Sequence, residues 1–268
     1  MLKDITLGQY FPGDTLAHRL DPRTKILLVV FYIIALFCAK SLLTYGVMAL
    51  CLAICVRISK VGLKTLLRGL KPVLLIIVFT GVLNLFFTPG NHYLFEWGIL
   101  RISDTGLENA FFMVLRIMLL IMGTFLMTYT TSPIRLTDGL EQLLNGLKRF
   151  HVPVHELAMM MSIALRFIPT LIEETDKIMS AQKARGADFE SGNLIQKAKA
   201  LIPVLVPLFI SAFRRADELA TAMECRCYHG GNGRTKLHIL QYERRDYVAL
   251  TMGLVVVVGV VVLGRFGL

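Results

Sequence analysis

Apolar residues run along this chain in long blocks separated by charged segments, with no strict two-residue alternation. Residues 26–39 form the first block, with Lys25 and Lys40 at its ends, and residues 42–56 form the second. One helix through both would carry Lys40 into mid-membrane, where a charge is costly. A hairpin turning at Lys40–Ser41 instead lets the Lys40 ammonium snorkel to the surface. Residues 72–88 make the third block. Residues 110–131 make the fourth, with Arg116 inside it, and residues 247–263, dominated by Val and Gly, make the fifth. A bilayer core about 30 Å thick takes roughly 20 helical residues, so these blocks predict transmembrane helices that extend into their flanks. A turn-rich loop, Pro89-Gly90-Asn91, then Trp97 and polar residues to Gly106, separates the third from the fourth.

Residues 132–243 are charged and helical in pattern. Ser132-Pro133 is a helix start, an N-cap followed by Pro at the first helical position. That helix is expected to run to about Phe150 and to stop at Pro153. A second should begin near Val154, bend near Pro169 and end around Gly186. A third should begin near Asn193 and end before Gly230, bending at Pro203 and Pro207. The apolar stretch 200–213 within it is about 14 residues long and too short to span alone. Lys197 and Lys199 flank one end and Arg214 and Arg215 the other, so neither end prefers the outside. The pattern therefore predicts a helix lying along the membrane face or packed on a partner, or else packed within its own chain.

The predicted fold is an all-α integral membrane protein of about five transmembrane helices plus three long or medium cytoplasmic helices. Residues 1–131 hold four spans, residues 132–245 the cytoplasmic helices and residues 246–268 the final span.

Composition agrees. The chain is 55% hydrophobic and 18% charged, against about 25% charged in soluble domains. Its formal net charge of +10 is explained by position. Arg19, Arg23 and Lys25 precede the first span; Arg57, Lys60, Lys64, Arg68 and Lys71 fill the loop between the second and third; Arg244 and Arg245 precede the fifth. The loop between the third and fourth spans has only Arg101. With five spans the basic segments fall on one side, which the positive-inside rule makes cytoplasmic. The expected amino terminus is inside and the carboxyl terminus outside, and nucleic-acid binding is not needed to account for the charge. The first 23 residues mix charges, Pro and Gly, which does not read as a cleavable signal peptide. The five cysteines, three in apolar blocks and two at a helix end, do not form a disulfide framework.

Catalytic signatures are missing from the sequence. Residues 230–235, GGNGRT, lack the spaced first glycine and the Gly-Lys-Ser/Thr end of a phosphate loop. His155-Glu156 has no second histidine for a zinc-protease helix. Cys225-x-Cys227-x-His229 lacks a companion pair for a metal, and no serine sits in a nucleophile elbow. Arg116, an ionisable residue within a span, either holds spans together or meets a partner, or else snorkels to the outer surface.

Both long cytoplasmic helices end alike, in Ala184-Arg185-Gly186 and in Cys225-Arg226-Cys227. Small neighbours leave each guanidinium free to enter a groove and meet a carboxylate. A cation at a helix C-terminus also complements the helix dipole.

Several segments together resemble the EcfT family, the transmembrane coupling subunits of energy-coupling factor (ECF) transporters. They are Gly8-Gln9-Tyr10 with Pro12-Gly13, His18 through Lys25 (HRLDPRTK), Thr130-Thr131-Ser132-Pro133, Ala184 through Asp188 (ARGAD) and Ala222 through Tyr228 (AMECRCY). The resemblance implies that Arg185 and Arg226 dock on two ATP-binding-cassette subunits, EcfA and EcfA′. It also implies that the bent helices, with partner contacts at Pro203, Pro207 and Arg116, pass motion to a substrate-binding membrane S-component for uptake of a vitamin or similar micronutrient. The second motif carries Cys227 where Gly is commoner. On this reading ATP and Mg are bound by the partners, the chain has no cofactor and no catalytic activity of its own, and it sits in a prokaryotic plasma membrane. Alternatives are a permease with its own substrate path and a membrane-embedded lipid-modifying enzyme.

Overall fold

The structure, a computed structural model, describes residues 10–89, 93–97, 100–189, 191, 193–230 and 239–265. The motif residues Gly8 and Gln9, the turn residues Gly90 and Asn91, and residues 231–235 of the glycine-rich stretch lie outside them. The chain divides into two compact units, Gly8–Gln142 with Leu240–Leu268, and Leu143–Ile239.

In the first unit a single turn, α1 (Leu16–Arg19), leads into α2 (Pro22–Cys38). Asp21 caps α2 by accepting from the Arg23 amide at 2.8 Å, and Pro22 takes the first helical position, where its missing N–H costs nothing. The hairpin forms where the pattern puts it. α2 ends at Cys38, Lys40 is exposed, and Ser41 caps α3 (Leu42–Ser59), its hydroxyl accepting from the Leu43 amide while its own amide donates to Thr44 Oγ1. After Gly62 comes α4 (Leu63–Leu70), a 3-10 turn Lys71–Val73, and α5 (Leu74–Phe87). Lys64 and Arg68, expected in a loop, are thus on a helix. Two short antiparallel strands, β1 (Tyr93–Trp97) and β2 (Leu100–Ser103), make a hairpin within the segment read as a loop. α6 (Asp104–Thr130) follows, capped by Ser103, then α7 (Pro133–Leu144).

Tight contacts hold these helices together. α2 and α10 (Arg244–Arg265) run parallel along their length. Asp246 accepts from the Asp21 amide at 2.9 Å, a Cβ on Gly253 would lie 2.5 Å from Leu28, and one on Gly264 would lie 3.5 Å from the Cys38 carbonyl. Glycine at 253 is therefore a packing requirement, and the starts of the first and last spans share one end of the unit. The Tyr32 hydroxyl donates to the Leu119 carbonyl at 3.1 Å, and Tyr45 stacks on Phe112. The shared core is Ala35, Leu36, Ala39, Tyr45, Met48, Leu52, Leu119 and Val260. Among the described residues many large apolar side chains, such as Leu50, Leu75, Phe79 and Val255, point outward, the arrangement of a protein whose outer solvent is lipid.

The second unit holds α8 (Val154–Ala184) and α9 (Leu194–Cys225), preceded by a 3-10 segment Asn145–Phe150. The helix expected to reach Phe150 therefore stops its α-helical turns at Leu144. α8 runs unbroken through Pro169 and α9 through Pro203 and Pro207. Among the described residues six helices are long and apolar enough to cross a membrane: α3, α4 with α5 as one stretch, α6, α8, α9 and α10. α2, at 17 residues, falls just short. Because α9 has 32 residues, the length argument drawn from stretch 200–213 alone does not hold for the helix that contains it.

Candidate functional site: two matching arginine-capped helix ends

α8 and α9 pair antiparallel. Glu174 accepts from the Ser211 hydroxyl and from Arg215 Nη2, the latter at 2.8 Å. About two turns farther toward the α8 tip, Gln182 Nε2 donates to the Pro203 carbonyl at 3.4 Å. The reason for the second bond is covalent. Pro207 has no N–H, so the carbonyl four residues earlier has no helical donor, and the Gln182 amide supplies one. The sequence marks Pro203 and Pro207 as bends and, through the family resemblance, as partner contacts, and Arg215 only as a flanking charge. It does not single out Gln182, Glu174 or Ser211, although a helical proline always frees a carbonyl that some group must satisfy.

Each helix then ends in the same turn. Arg185 is the C-cap of α8, at φ −85° and ψ 3°, and Arg226 is the C-cap of α9, at φ −94° and ψ 17°. The next residue is left-handed in both, Gly186 at φ 89° and Cys227 at φ 53°. The Gly186 amide donates to the Lys183 carbonyl and the Ala187 amide to the Gln182 carbonyl, both at 3.0 Å. The Cys227 amide donates to the Glu224 carbonyl at 2.8 Å and the Tyr228 amide to the Met223 carbonyl at 3.1 Å. Both sets are the paired bonds of a Schellman motif. Cys227 thus adopts the conformation that Gly186 adopts freely, at the cost a side chain incurs there. Ala184, Arg185, Gly186, Cys225, Arg226 and Cys227 are all exposed. His229 Nδ1 contacts the Cys227 carbonyl at 2.8 Å, so that ring faces its own backbone.

The two ends are not one site. The α8 tip lies beside Pro203, and α9 continues 22 residues from there to Cys225, about 33 Å at 1.5 Å per residue. Two equivalent cationic caps therefore stand at opposite ends of one helix pair.

Arg116 belongs to the other unit. Its Nε donates to the Tyr45 hydroxyl at 2.8 Å and its Nη2 to the Ala39 carbonyl at 3.2 Å, which fixes α6 to the turn between α2 and α3. The remaining motif segments meet at the base of α2. Lys25, buried, donates to the Thr130 carbonyl at 2.9 Å and the Thr131 hydroxyl at 3.1 Å. Arg23 pairs with Asp21 at 2.8 Å and lies over the Tyr242 ring. A Cβ on Gly139 would come within 2.8 Å of Pro22. The segments from His18 to Lys25 and from Thr130 to Pro133 are one structural joint, distinct in role from the arginine ends.

Residues 13–237 match the CbiQ family, described as cobalt transport protein. The chain belongs to the CbiQ/EcfT family. Among curated members, it is 57% identical over 258 residues to the energy-coupling factor transporter transmembrane protein EcfT of Clostridium kluyveri, covering 96% of each chain. It is 54% identical over 257 residues to that of Ruminiclostridium cellulolyticum, covering 96% of this chain and 95% of the relative. To that of Bacillus subtilis it is 48% identical over 246 residues, covering 92% and 93%. Like a CbiQ/EcfT-family protein, it is a multi-pass helical membrane protein.

Proposed function

We propose that this chain is the transmembrane scaffold of an ECF transporter, coupling ATP hydrolysis by two cytoplasmic ATP-binding-cassette subunits to a membrane S-component that captures a vitamin or similar micronutrient. One observation carries the reading: Arg185 and Arg226 occupy the same position of the same exposed turn, about 33 Å apart. Matching caps at separate ends suit two similar ATPase subunits, one on each. Nucleotide and Mg are bound by those subunits, and this chain performs no hydrolysis.

The α8–α9 pair lies on the cytoplasmic side in this reading. Were α9 to cross the bilayer, a core of about 20 residues around 200–213 would draw Arg214, Arg215 or the lysines at 197 and 199 into hydrocarbon. Lying at the face, the pair keeps those charges wet and turns its exposed Leu205, Val206, Phe209 and Ile210 toward the S-component. The amino terminus is cytoplasmic and the carboxyl terminus outside. Parallel α2 and α10 support this, since their basic starts, Arg19 and Arg23 with Arg244 and Arg245, share one end.

Co-purification from the native membrane tests the assembly: two ATPases and a small membrane protein should accompany the chain. One-sided labelling of single cysteines beside Arg185 and Arg226, in a cysteine-free background, tests the placement. Labelling of the two from opposite sides would mean that the pair crosses the membrane.

A further inference from the structure

We propose that α4 and the first residue of the 3-10 turn that continues it carry a binding stripe for anionic phospholipid headgroups, formed by Lys64, Arg68 and Lys71. The proposal is independent of the coupling reading.

The stripe follows from helix geometry. Lys64, Arg68 and Lys71 recur at four- and three-residue spacing, so they line up on one side. Leu66 and Leu70 are buried on another side, and Gly69 sits so close to Phe125 that a Cβ would come within 2.7 Å of its ring. That contact fixes the rotation of α4. Leu63 and Leu67, 56% and 49% exposed, fall between the buried side and the cations. Around the helix the order is core, then exposed leucine, then cation, which is the order an interfacial helix presents to acyl chains and then headgroups.

Depth agrees. The stretch Leu63–Phe87 has 25 residues, about 37 Å of helix against a hydrocarbon core of about 30 Å. Its first turns therefore reach headgroup level, where phosphates lie. The exposed leucines of α4 continue into the exposed Leu74, Leu75 and Phe79 of α5, so the same face is lipid-facing farther along.

Charge complementarity identifies the occupant. No Asp or Glu occurs between Asp21 and Glu96. Among the described residues none of Arg57, Lys60, Lys64, Arg68 and Lys71 enters an ion pair. Asp14 lines a cavity with Lys60 and Thr65, but Arg19 holds its carboxylate through two bonds of 2.7 Å and keeps its acidity stronger than usual. Lys64, Arg68 and Lys71, in no ion pair among the described residues and flanked by apolar side chains at headgroup depth, fit the phosphate of an acidic lipid better than an acidic soluble protein, which would leave Leu63 and Leu67 in water.

The test uses the full chain in bilayers of phosphatidylcholine with phosphatidylglycerol. Spin-labelled versions of both lipids report the association of each with the protein surface. Wild type should prefer phosphatidylglycerol, and Lys64→Gln with Arg68→Gln and Lys71→Gln should lower that preference about fivefold or to unity. Removing three exposed cations elsewhere, Lys148→Gln, Arg149→Gln and Lys177→Gln, should leave it intact. Unchanged thermal unfolding would show that the α4 triple variant is folded. No preference in wild type, persistence in the α4 variant, or equal loss in the control variant would overturn the proposal. So would acylation of Lys64 and Lys71 that is blocked by added ATPase subunits and not by phosphatidylglycerol, which would assign the stripe to an acidic protein.

Discussion

The side chain of Gln182 fills the hydrogen-bonding vacancy that Pro207 opens at the carbonyl of Pro203. Gln182 also gives its own backbone carbonyl to Ala187 in the turn that presents Arg185. One residue thus ties the arginine end of α8 to the proline-containing stretch of α9.

The bond is 3.4 Å long and exposed, so Gln182→Leu should cost only about 0.5–1 kcal/mol. Pro207→Ala restores a helical N–H that can donate to the Pro203 carbonyl. In the Pro207→Ala background the Gln182→Leu change should become nearly silent. A double-mutant cycle on thermal unfolding checks this; additive effects would show that Gln182 acts elsewhere.

Much of the membrane part was legible in the sequence, because each feature there has a local cause. The turn at Lys40–Ser41 is marked by a charge between apolar runs and by a capping serine. The helix start at Ser132-Pro133 is likewise written in two residues, and the Ser132 hydroxyl does accept from the Arg135 amide, at 3.5 Å. The arginine ends were legible as a repeated tripeptide. Their shared Schellman turn was not, because Cys227 is a poor signal for a left-handed residue. The joint between Asp21 and Asp246 was not legible either: the two are 225 residues apart, and no periodicity reports such a pair. The same holds for Lys25, which reads as a flanking charge but is buried and bonded to Thr130 and Thr131.

Substitutions at the two left-handed positions should have opposite signs. Gly186→Ala places a Cβ at φ 89° and should destabilise the α8 end by about 1 kcal/mol. Cys227→Gly relieves strain already present at φ 53°, and should be neutral to stabilising by up to about 1 kcal/mol. Cys227→Ala should change little. Amide exchange at Gly186, Ala187, Cys227 and Tyr228 reads each turn separately.

Arg116→Met removes a charged donor from the Tyr45 hydroxyl and the Ala39 carbonyl, and should cost about 1.5–3 kcal/mol of stability in detergent. Tyr45→Phe should cost less, and the double variant less than the sum. Strict additivity would mean that Arg116 draws its stability from the lipid surface and not from Tyr45.

Asp246 is 1% exposed and accepts from the amides of Asp21 and Glu243, both at 2.9 Å. Asp246→Ala orphans a buried amide at the base of α2 and should destabilise the first unit by about 1–3 kcal/mol. Cross-linking of cysteines placed at Leu28 and Gly253 should weaken in that variant if the parallel pairing of α2 and α10 depends on this joint; unchanged cross-linking would place the restraint farther along the helices.

The arginine ends admit two physical roles with different readouts. As dipole complements, Arg185 and Arg226 act within the chain, at about 0.3–1 kcal/mol each, and their removal leaves partner binding alone. As docking groups they lose a desolvated contact, about 2–5 kcal/mol each. Arg185→Glu or Arg226→Glu alone should then weaken capture of the ATPase subunits, more than the corresponding change to Ala, because the reversed charge repels a carboxylate left in the groove. Since the caps stand about 33 Å apart on one pair, neither can substitute for the other. A single variant should therefore lose one subunit preferentially, and the double variant should lose both, together with substrate uptake. The chain itself should still insert and fold, as both side chains are exposed and bear no tertiary contact that a core requires. Pull-down of the two ATPases alongside uptake, for both single variants and the double, gives the answer. Binding and uptake at wild-type level in the double variant would leave only the dipole role, and the assignment of this chain as a coupling scaffold would lose its main support.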